Sequence, residues 1–589
     1  MSLMVNDAAT ADRPASQPGK FWKRTGAAAS CEPNASDTYP WQRHACWVLG
    51  MTSALLLWSA FPPLGWSWLA WVAPVAWVLL IRLPKLHGRH PYTVLWLAGF
   101  VHWLLVVHWV RLPHWSTFFG WLALAMYLAS YIPLFVGLAR IAVHRLRIPV
   151  LIAAPVVWTG LELLRGHLLT GFSMALLAHT QVEHLKLIQI SDVTGAYGVS
   201  FLVMFAATGL ARMIPIAAEW LVLWPLVPVG AVLAGVVGYG ASCLTTPAEG
   251  QSPAATAHVA LIQGSVDVTF ENYDPRKAVE HYLDLSCDTV ASYPGLDAVV
   301  WPESMCTFLA PLVTYDKDAP ITPKARQWAD EKTAIFHQRL RVLVDEHRQA
   351  RGGATTGQQH ELPSFIVCSG TFRLDRELQH YNTGFLIGPA GRIVSRYDKM
   401  HPVMFGEYLP LGNWFPWLYE MTPLGAGLSA GSNAVPFHVK DLTFCPSICF
   451  ESTVPHLIRR QVEQLTRAGT PPNVLVNLTN DGWFWGSSEL DLHLACGVFR
   501  AVENRLPMLI AANTGFSAWI DASGRILQQG PRRATGVVLA HVMAERRTSL
   551  YRAHGDLFGG VCLLASAVVL FLGTVAGLLR RGSKNQVSG

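Results

Sequence analysis

The sequence predicts a polytopic α-helical membrane module of about eight transmembrane helices joined to an exterior α/β domain. Three observations predict it. First, only 14% of the 589 residues are charged, against about 25% in an ordinary soluble chain, and they are unevenly spread. Residues 46–245 hold 14 charged residues in 200, whereas 246–555 hold 57 in 310. Second, apolar runs long enough to cross a bilayer recur in the poorly charged part. Third, from His258 onward the pattern changes to short apolar strands alternating with helical stretches. These features exclude a uniformly soluble enzyme, a disordered protein, a collagen-like chain and a pure channel.

A hydrocarbon core about 30 Å thick needs about 20 apolar helical residues. Such runs occupy 45–62, 65–81, 93–110, 116–139, 149–165, 197–214, 219–243 and 557–579. Positive residues stay cytoplasmic, and a cytoplasmic N-terminus puts fifteen Lys and Arg in the inside segments. They are Arg13, Lys20, Lys23, Arg24, Arg43, Arg82, Lys85, Arg89, Arg140, Arg145, Arg147, Arg212, Arg580, Arg581 and Lys584. Both termini are therefore expected inside and the polar domain outside. Residues 1–45 lack the apolar core of a cleavable signal and read as a disordered cytoplasmic tail, with 581–589 a second tail. The first span would serve as the export signal. Topology thus accounts for the net charge of +6, and no basic stripe suggests nucleic acid. Ten cysteines at irregular spacing, without a CxxC, form neither a disulfide framework nor a zinc knuckle.

In the exterior domain (246–555), strands are expected at 258–266, 298–302, 364–372, 442–449, 473–479 and 508–513. Turn chemistry marks two hairpins, around Gly-Pro-Ala-Gly at 388–391 and Asp-Ala-Ser-Gly at 521–524. Helices are expected at 275–292, 322–350, 454–468 and 490–505. This order predicts two mixed sheets with helices outside, with 313–360 as an inserted amphipathic helix and Gly/Thr/Gln loop, exposed and mobile. The last span covers 556–580.

Three polar residues each follow an apolar run: Glu303 in VVWPES, Lys399 in SRYDKM and Cys449 in CPSICFES. A carboxylate, an amine and a thiol at strand ends suit covalent acyl chemistry. The thiolate is the nucleophile, a carboxylate can take and return its proton, and an ammonium can stabilise an oxyanion. Cys445 is a rival nucleophile, but it precedes Pro446 within the strand and lacks the Phe-Glu pair that follows Cys449. In an extended strand the two thiols stand about 13 Å apart, beyond disulfide reach.

WPES at 301–304, YDK ending at Lys399, and C-F-E-x-x-x-P at 449–455 resemble the nitrilase superfamily. FGEYLP at 405–410, YNTG at 381–384, NDGWF at 480–484 followed by His493, AxENRLP at 501–507, NTGFSAWID at 513–521, LRGHLLTGF at 164–172 and QG at 263–264 narrow the resemblance to its membrane-bound branch, the apolipoprotein N-acyltransferases. The resemblance implies a nitrilase-like αββα sandwich and a Glu303–Lys399–Cys449 triad. It implies ping-pong transfer of an acyl chain from a membrane phospholipid, phosphatidylethanolamine being the expected donor, through a Cys449 thioester. The acceptor is the α-amino group of a diacylglyceryl-cysteine apolipoprotein. No cofactor and no metal are expected, and the enzyme is expected to be a monomer in the bacterial inner membrane with a periplasmic catalytic domain. Supporting or substrate-binding roles fall by position on Glu407, Glu451, Asn382, Phe450 (where Tyr is usual) and Tyr273 (where Trp is frequent). Arg165, one turn from Glu162 near a span end, is either a functional group or a helix-end pair. Phe405, Tyr408, Trp414, Trp417, Trp483, Phe484 and Trp485 are candidate lipid-facing lids, weighed against simple packing. The competing readings are a membrane-tethered nitrilase-type amidase and an inactive lipoprotein-binding scaffold. The spans and aromatic loops favour the acyltransferase, and the intact triad disfavours the scaffold.

Overall fold

The computed structural model describes residues 40–587 apart from 217–219, 246–254, 269–272, 307–310, 317, 353–360, 376–377, 413, 421, 423, 425–426 and 546. The expected N-terminal tail thus lies mostly outside the described residues. Its last part is corrected: helix already begins at Pro40, a residue whose fixed φ suits the first helical position. At the other end the final helix continues to Val587, into the expected C-terminal tail.

Helix occupies each of the eight apolar runs: Pro40–Ala60, Ala73–Arg82, Pro91–Val106, Thr117–Arg145, Val150–Arg165, Ala196–Met213, Leu226–Thr245 and Leu557–Val587. Among the described residues, four are long and apolar enough to cross a membrane: 117–145, 196–213, 226–245 and 557–579. The run expected from 219 becomes helical only at Leu226, because Pro225 disfavours helix in the residue before it. Trp77, Phe135 and Trp158 pack as an aromatic knot, with ring centroids 5.1–6.5 Å apart. The helices at 150–165 and 557–587 cross closely at Gly160, where a Cβ would stand 2.8 Å from the Cys562 carbonyl oxygen.

Residues 166–195, which carried no structural expectation, fold into short turns whose middle part, 171–181, is buried. This segment joins module to exterior domain. Arg505 donates from Nε and Nη2 to Asp192 Oδ2 (3.0 and 2.6 Å) and from Nη1 to Gln189 Oε1 (2.6 Å). Tyr239 in the 226–245 helix donates to the same Asp192 carboxylate at 2.9 Å. Glu503 Oε1 accepts the Ala196 N–H at 2.9 Å. The charged residues of the AxENRLP run therefore act as a clamp between the two parts.

Thirteen strands of the exterior domain are described. They are β1 (Thr256–Gln263), β2 (Ala298–Val300), β3 (Leu312–Tyr315), β4 (Ser364–Leu374), β5 (Leu378–Ile387), β6 (Ile393–Asp398), β7 (Phe437–Val439), β8 (Leu442–Ile448), β9 (Val474–Thr479), β10 (Met508–Ala512), β11 (Ala518–Ile520), β12 (Ile526–Gln529) and β13 (Gly536–Met543). One sheet runs β13-β1-β2-β4-β5-β6, with β3 also paired to β4, and the other runs β12-β11-β10-β9-β8-β7. Strand alternation divides the core: Ala257, Val259 and Leu261 of β1 face the second sheet, while Ala260 and Ile262 face outward. Helices Pro275–Ser292 and Pro323–Gly352 cover the outer face of the first sheet. Helices Pro455–Arg467 and Glu489–Asn504 cover that of the second, together with Ala196, Tyr197 and Val199 of the membrane module. The result is the expected four-layer αββα sandwich.

The reading of 313–360 as an exposed insertion is corrected. Residues 312–315 are a paired strand, and the 323–352 helix is a layer of the sandwich, because Phe336, Leu340, Leu343 and Val344 lie on one face and are buried. Residues 353–360, the expected loop, lie outside the described residues.

Candidate active site

The strand order brings the three predicted residues together. β2 is parallel to β4, while β4–β5 and β5–β6 are antiparallel, so β2 and β6 end at the same edge. Glu303 follows β2 and Lys399 follows β6; the Lys399 N–H donates to the carbonyl of Asn382 on β5 at 2.8 Å. Across the sandwich, β8 ends at Ile448 and the chain turns sharply at Cys449, with φ +52°. A non-glycine residue in this region stores about 1–3 kcal/mol and persists only where its surroundings fix it.

Glu451 does much of that fixing. It is fully buried, and its carboxylate accepts the N–H groups of Ile448 (2.7 Å), Met400 (2.7 Å) and His401 (3.0 Å) and the Tyr397 hydroxyl (2.8 Å). One side chain thus ties the turn bearing Cys449 to the strand end bearing Lys399. Burial pushes its carboxyl up to about 7 against the pull of those hydrogen bonds and of Lys399. Glu451 is therefore a bracing residue, not one open to substrate.

Glu303 and Lys399 are 5% and 1% exposed. Glu303 Oε1 accepts from Asn382 Nδ2 at 2.7 Å and Lys399 Nζ at 3.4 Å, and Oε2 accepts the Asn480 N–H at 3.2 Å. Lys399 Nζ also donates to Glu407 Oε1 at 2.7 Å, while Glu407 Oε2 accepts the Val403 N–H at 2.8 Å. Burial raises the Glu303 carboxyl; Lys399 opposes this and Glu407 adds to it. Burial alone would lower the Lys399 ammonium, but Glu407 and Glu303 outweigh it and hold it well above its usual range. The Cys449 thiol is pushed well up, first by burial and then by Glu303, with Lys399 opposing. It lies within hydrogen-bonding reach of the Glu303 carboxylate, so a neutral thiol faces a carboxylate able to take its proton.

Cys445 lies elsewhere. It packs on the outer face of its sheet with Ile458 and Val462, and burial pushes its thiol up to about 12. Of the other expected residues, Asn382 also accepts from the Cys368 thiol at 3.0 Å. Phe450 packs against the core of the membrane module, its ring centroid 6.1 Å from that of His401. Phe484 meets Trp109 of the module edge-on at 4.9 Å. Phe405, Trp414, Trp417 and Trp485 are exposed and Tyr408 is half-buried.

Tyr273 and Trp483 are half-buried and pack against the outer core with residues such as Val268 and Tyr282. Arg165 lies over the Trp103 ring at 4.9 Å and donates to the Ala175 carbonyl at 3.2 Å, while Glu162 accepts the Leu177 N–H at 2.9 Å. Both brace the buried 173–181 segment.

Asn480, Asp481, His493 and Asn513 fall in or beside motifs noted in the sequence, which assign them no role, and Ser452 stands in no such motif as a candidate. Asn480 Oδ1 accepts from Asn513 Nδ2 at 2.9 Å, holding the backbone N–H that meets Glu303. The signal was present in the NDGWF and NTGF runs, which spacing alone could not connect. Among the described residues, two clusters offer three metal-type ligands each: His167, His456 and Asp556, and Asp481, Glu489 and His493. The His167 and His456 rings stack 4.2 Å apart at 21°, and His167 Nε2 stands 3.8 Å from Asp556 Oδ2.

Comparison with known proteins matches the family described as the apolipoprotein N-acyltransferase N-terminal domain over residues 53–209, and the carbon-nitrogen hydrolase family over 258–552. An apolipoprotein N-acyltransferase of Geobacter metallireducens is 33% identical, with 89% of this chain and 95% of that protein covered. One of Rhodopirellula baltica is 29% identical, with 92% and 100% covered. Among solved structures, Saccharomyces cerevisiae Nit3, a member of branch 10 of the nitrilase superfamily, overlaps 50% of this chain and 93% of its own, at 16% identity and a TM-score of 0.33.

Proposed function

The chain belongs to the apolipoprotein N-acyltransferase family and is an acyltransferase, and from that premise we propose that it acts by a two-step, ping-pong route through a thioester on Cys449. The donor is a lipid and the acceptor a lipoprotein; more specifically, we take the donor to be phosphatidylethanolamine and the acceptor group the free α-amine of a diacylglyceryl-cysteine. In the first step Glu303 takes the Cys449 proton as sulfur attacks the ester carbonyl, and Lys399 stabilises the oxyanion. Collapse breaks the ester C–O bond, and Glu303 returns the proton to the departing lysophospholipid oxygen. In the second step the lipoprotein amine, with a pKa near 8 and so partly neutral at pH 7, attacks the thioester. Glu303 accepts the amine proton and delivers it to the leaving sulfur, giving an amide and free Cys449.

The observation that carries this reading is the joint burial of Glu303 and Lys399 beside the left-handed turn at Cys449. The flanking Phe450 and Phe484 pack on the membrane module, the side from which a lipid substrate would arrive, and the exposed aromatics at 405, 414, 417 and 485 suit lids in contact with lipid. Eight spans, both termini cytoplasmic, a periplasmic catalytic domain in the inner membrane and a monomeric enzyme complete the proposal.

The test is incubation of the purified protein with vesicles of acyl-labelled phosphatidylethanolamine and a synthetic diacylglyceryl-cysteinyl peptide. The proposal predicts label in an alkali-stable amide on the peptide. Label appearing only as free fatty acid, or hydrolysis of small amides in its place, would overturn it in favour of a tethered amidase.

A further inference from the structure

Beneath the nucleophile turn lies a chain of polar groups that the acyl-transfer steps leave unused. Ser452, the third residue after Cys449, is fully buried, and His493 and Asp481 are each 3% exposed. Ser452 Oγ donates to the Cys449 carbonyl oxygen at 3.2 Å and lies 2.7 Å from His493 Nε2. His493 Nδ1 lies 3.1 Å from Asp481 Oδ1, which also accepts from Thr479 Oγ1 at 2.8 Å. The order Asp–His–Ser is one that activates serine nucleophiles elsewhere, but this serine has no access to a substrate.

Proton counting gives the arrangement its direction. The Ser452 hydroxyl has one proton and two acceptors in reach, the Cys449 carbonyl and His493 Nε2. If the proton goes to the imidazole, the Cys449 carbonyl loses this donor and keeps only Asn477 Nδ2, at 3.2 Å. If it goes to the carbonyl, Oγ remains an acceptor toward the ring at Nε2, and the hydroxyl bridges the imidazole and the nucleophile turn. Glu489 Oε1 stands 3.8 Å from His493 Nδ1 and its Oε2 has no hydrogen-bond partner among the described residues. Burial, with Asp481 and Asp491 adding, pushes the Glu489 carboxyl well up. Asp481 is also among the charges that raise the Cys449 thiol, after burial and Glu303, so a ring donating to Asp481 reduces its cost to the nucleophile.

We propose that Asp481, His493 and Ser452 form a buried positioning relay that fixes the Cys449 carbonyl, and with it the left-handed turn from which the sulfur attacks. The relay rests on the acyl-enzyme reading for its catalytic consequence and on geometry for its existence. Two measurements on the full-length protein separate these. One is the single-turnover rate of thioester formation from phosphatidylethanolamine vesicles, followed by intact mass. The other is the rate of Cys449 alkylation by iodoacetamide, which needs no acyl chemistry. Ser452→Ala and His493→Ala should slow both by about tenfold or more, as a displaced reacting group does, with the apparent KM for phospholipid within about twofold of wild type. Ser452→Thr, which keeps the hydroxyl, and His493→Gln, which keeps a donor toward Oγ, should recover most of both rates. A role in packing alone would not separate Ser452→Ala from Ser452→Thr in this way.

Wild-type rates in both Ser452→Ala and His493→Ala would overturn the relay. So would a stoichiometric metal ion in purified wild type that His493→Ala loses, since the cluster would then be a ligand set. A wild type that forms no thioester while its alkylation still depends on Ser452 would instead overturn the acyl-enzyme reading and leave the relay standing.

Discussion

Replacing Lys399 with alanine separates what this residue does for the fold from what it does for the reaction. Its ammonium stands 2.7 Å from Glu407 and 3.4 Å from Glu303 at 1% exposure. With an effective dielectric constant of about 20 these separations correspond to roughly 6 and 5 kcal/mol of attraction, most of which offsets the cost of burying three charges. Removing the cation leaves two carboxylates without it, and breaking a buried pair from one side costs about 3–5 kcal/mol. Lys399→Ala is therefore expected to lower unfolding free energy by about that amount. Lys399→Ala/Glu407→Gln removes one of the stranded charges and should recover roughly half of the loss. Activity should not follow. Both variants lose the ammonium proposed to stabilise the oxyanion, and one lost donor of that kind costs about 10²–10³ in rate. Denaturant unfolding in detergent and single-turnover acylation measure the two quantities on the same preparations. A double variant as unstable as the single one, or a Lys399→Ala enzyme acylated within a few-fold of wild type, would refute the reasoning.

Other consequences are as direct. Burial raises the Glu451 carboxyl from 4.5 to about 7, so between those values the folded protein binds more protons than the unfolded chain, and stability should fall as pH rises through that window. The change is at most about 3 kcal/mol, and it should appear as the difference between the pH dependences of wild type and Glu451→Gln unfolding from pH 4.5 to 8, because the likewise raised Glu503 contributes to both. Arg505→Lys should behave nearly as badly as Arg505→Ala, because the fork that reaches Asp192 and Gln189 together cannot be made by an ammonium; faster protease release of the exterior domain reports it. Gly160→Ala should cost about 1–3 kcal/mol by overpacking, since the new methyl would sit 2.8 Å from Cys562 oxygen. Gly230→Ala, in the 226–245 helix with nothing within 4 Å, should be neutral or stabilising, as paired thermal denaturation would show.

Elements whose information is local were legible in the sequence. The 275–292 helix carries its own start signal, Asp274 capping the Arg276 N–H at 3.0 Å just ahead of Pro275, and the hydropathy of the spans required no partner. Glu303, Lys399 and Cys449 were legible because each ends an apolar strand. The 323–352 helix was legible as a helix but not as a layer, since its length resembled an insertion and its apolar face is spread over five turns. The 166–195 segment was not legible at all. It mixes polar and apolar residues without period, and its order comes from groups far away in sequence such as Arg505 and Ser549, which donates to the Asp192 carbonyl at 3.0 Å. The relay was hidden for a similar reason: Ser452 and His493 are 41 residues apart, and nothing local marks either as buried.

The central claim is a covalent acyl-enzyme at Cys449. Intact-protein mass spectrometry of wild type and Cys449→Ala after incubation with phosphatidylethanolamine tests it most directly. The account predicts a fatty-acyl increment on wild type that neutral hydroxylamine removes and that Cys449→Ala never acquires. An increment that survives in Cys449→Ala, or a folded wild type with accessible lipid and no increment, would contradict it.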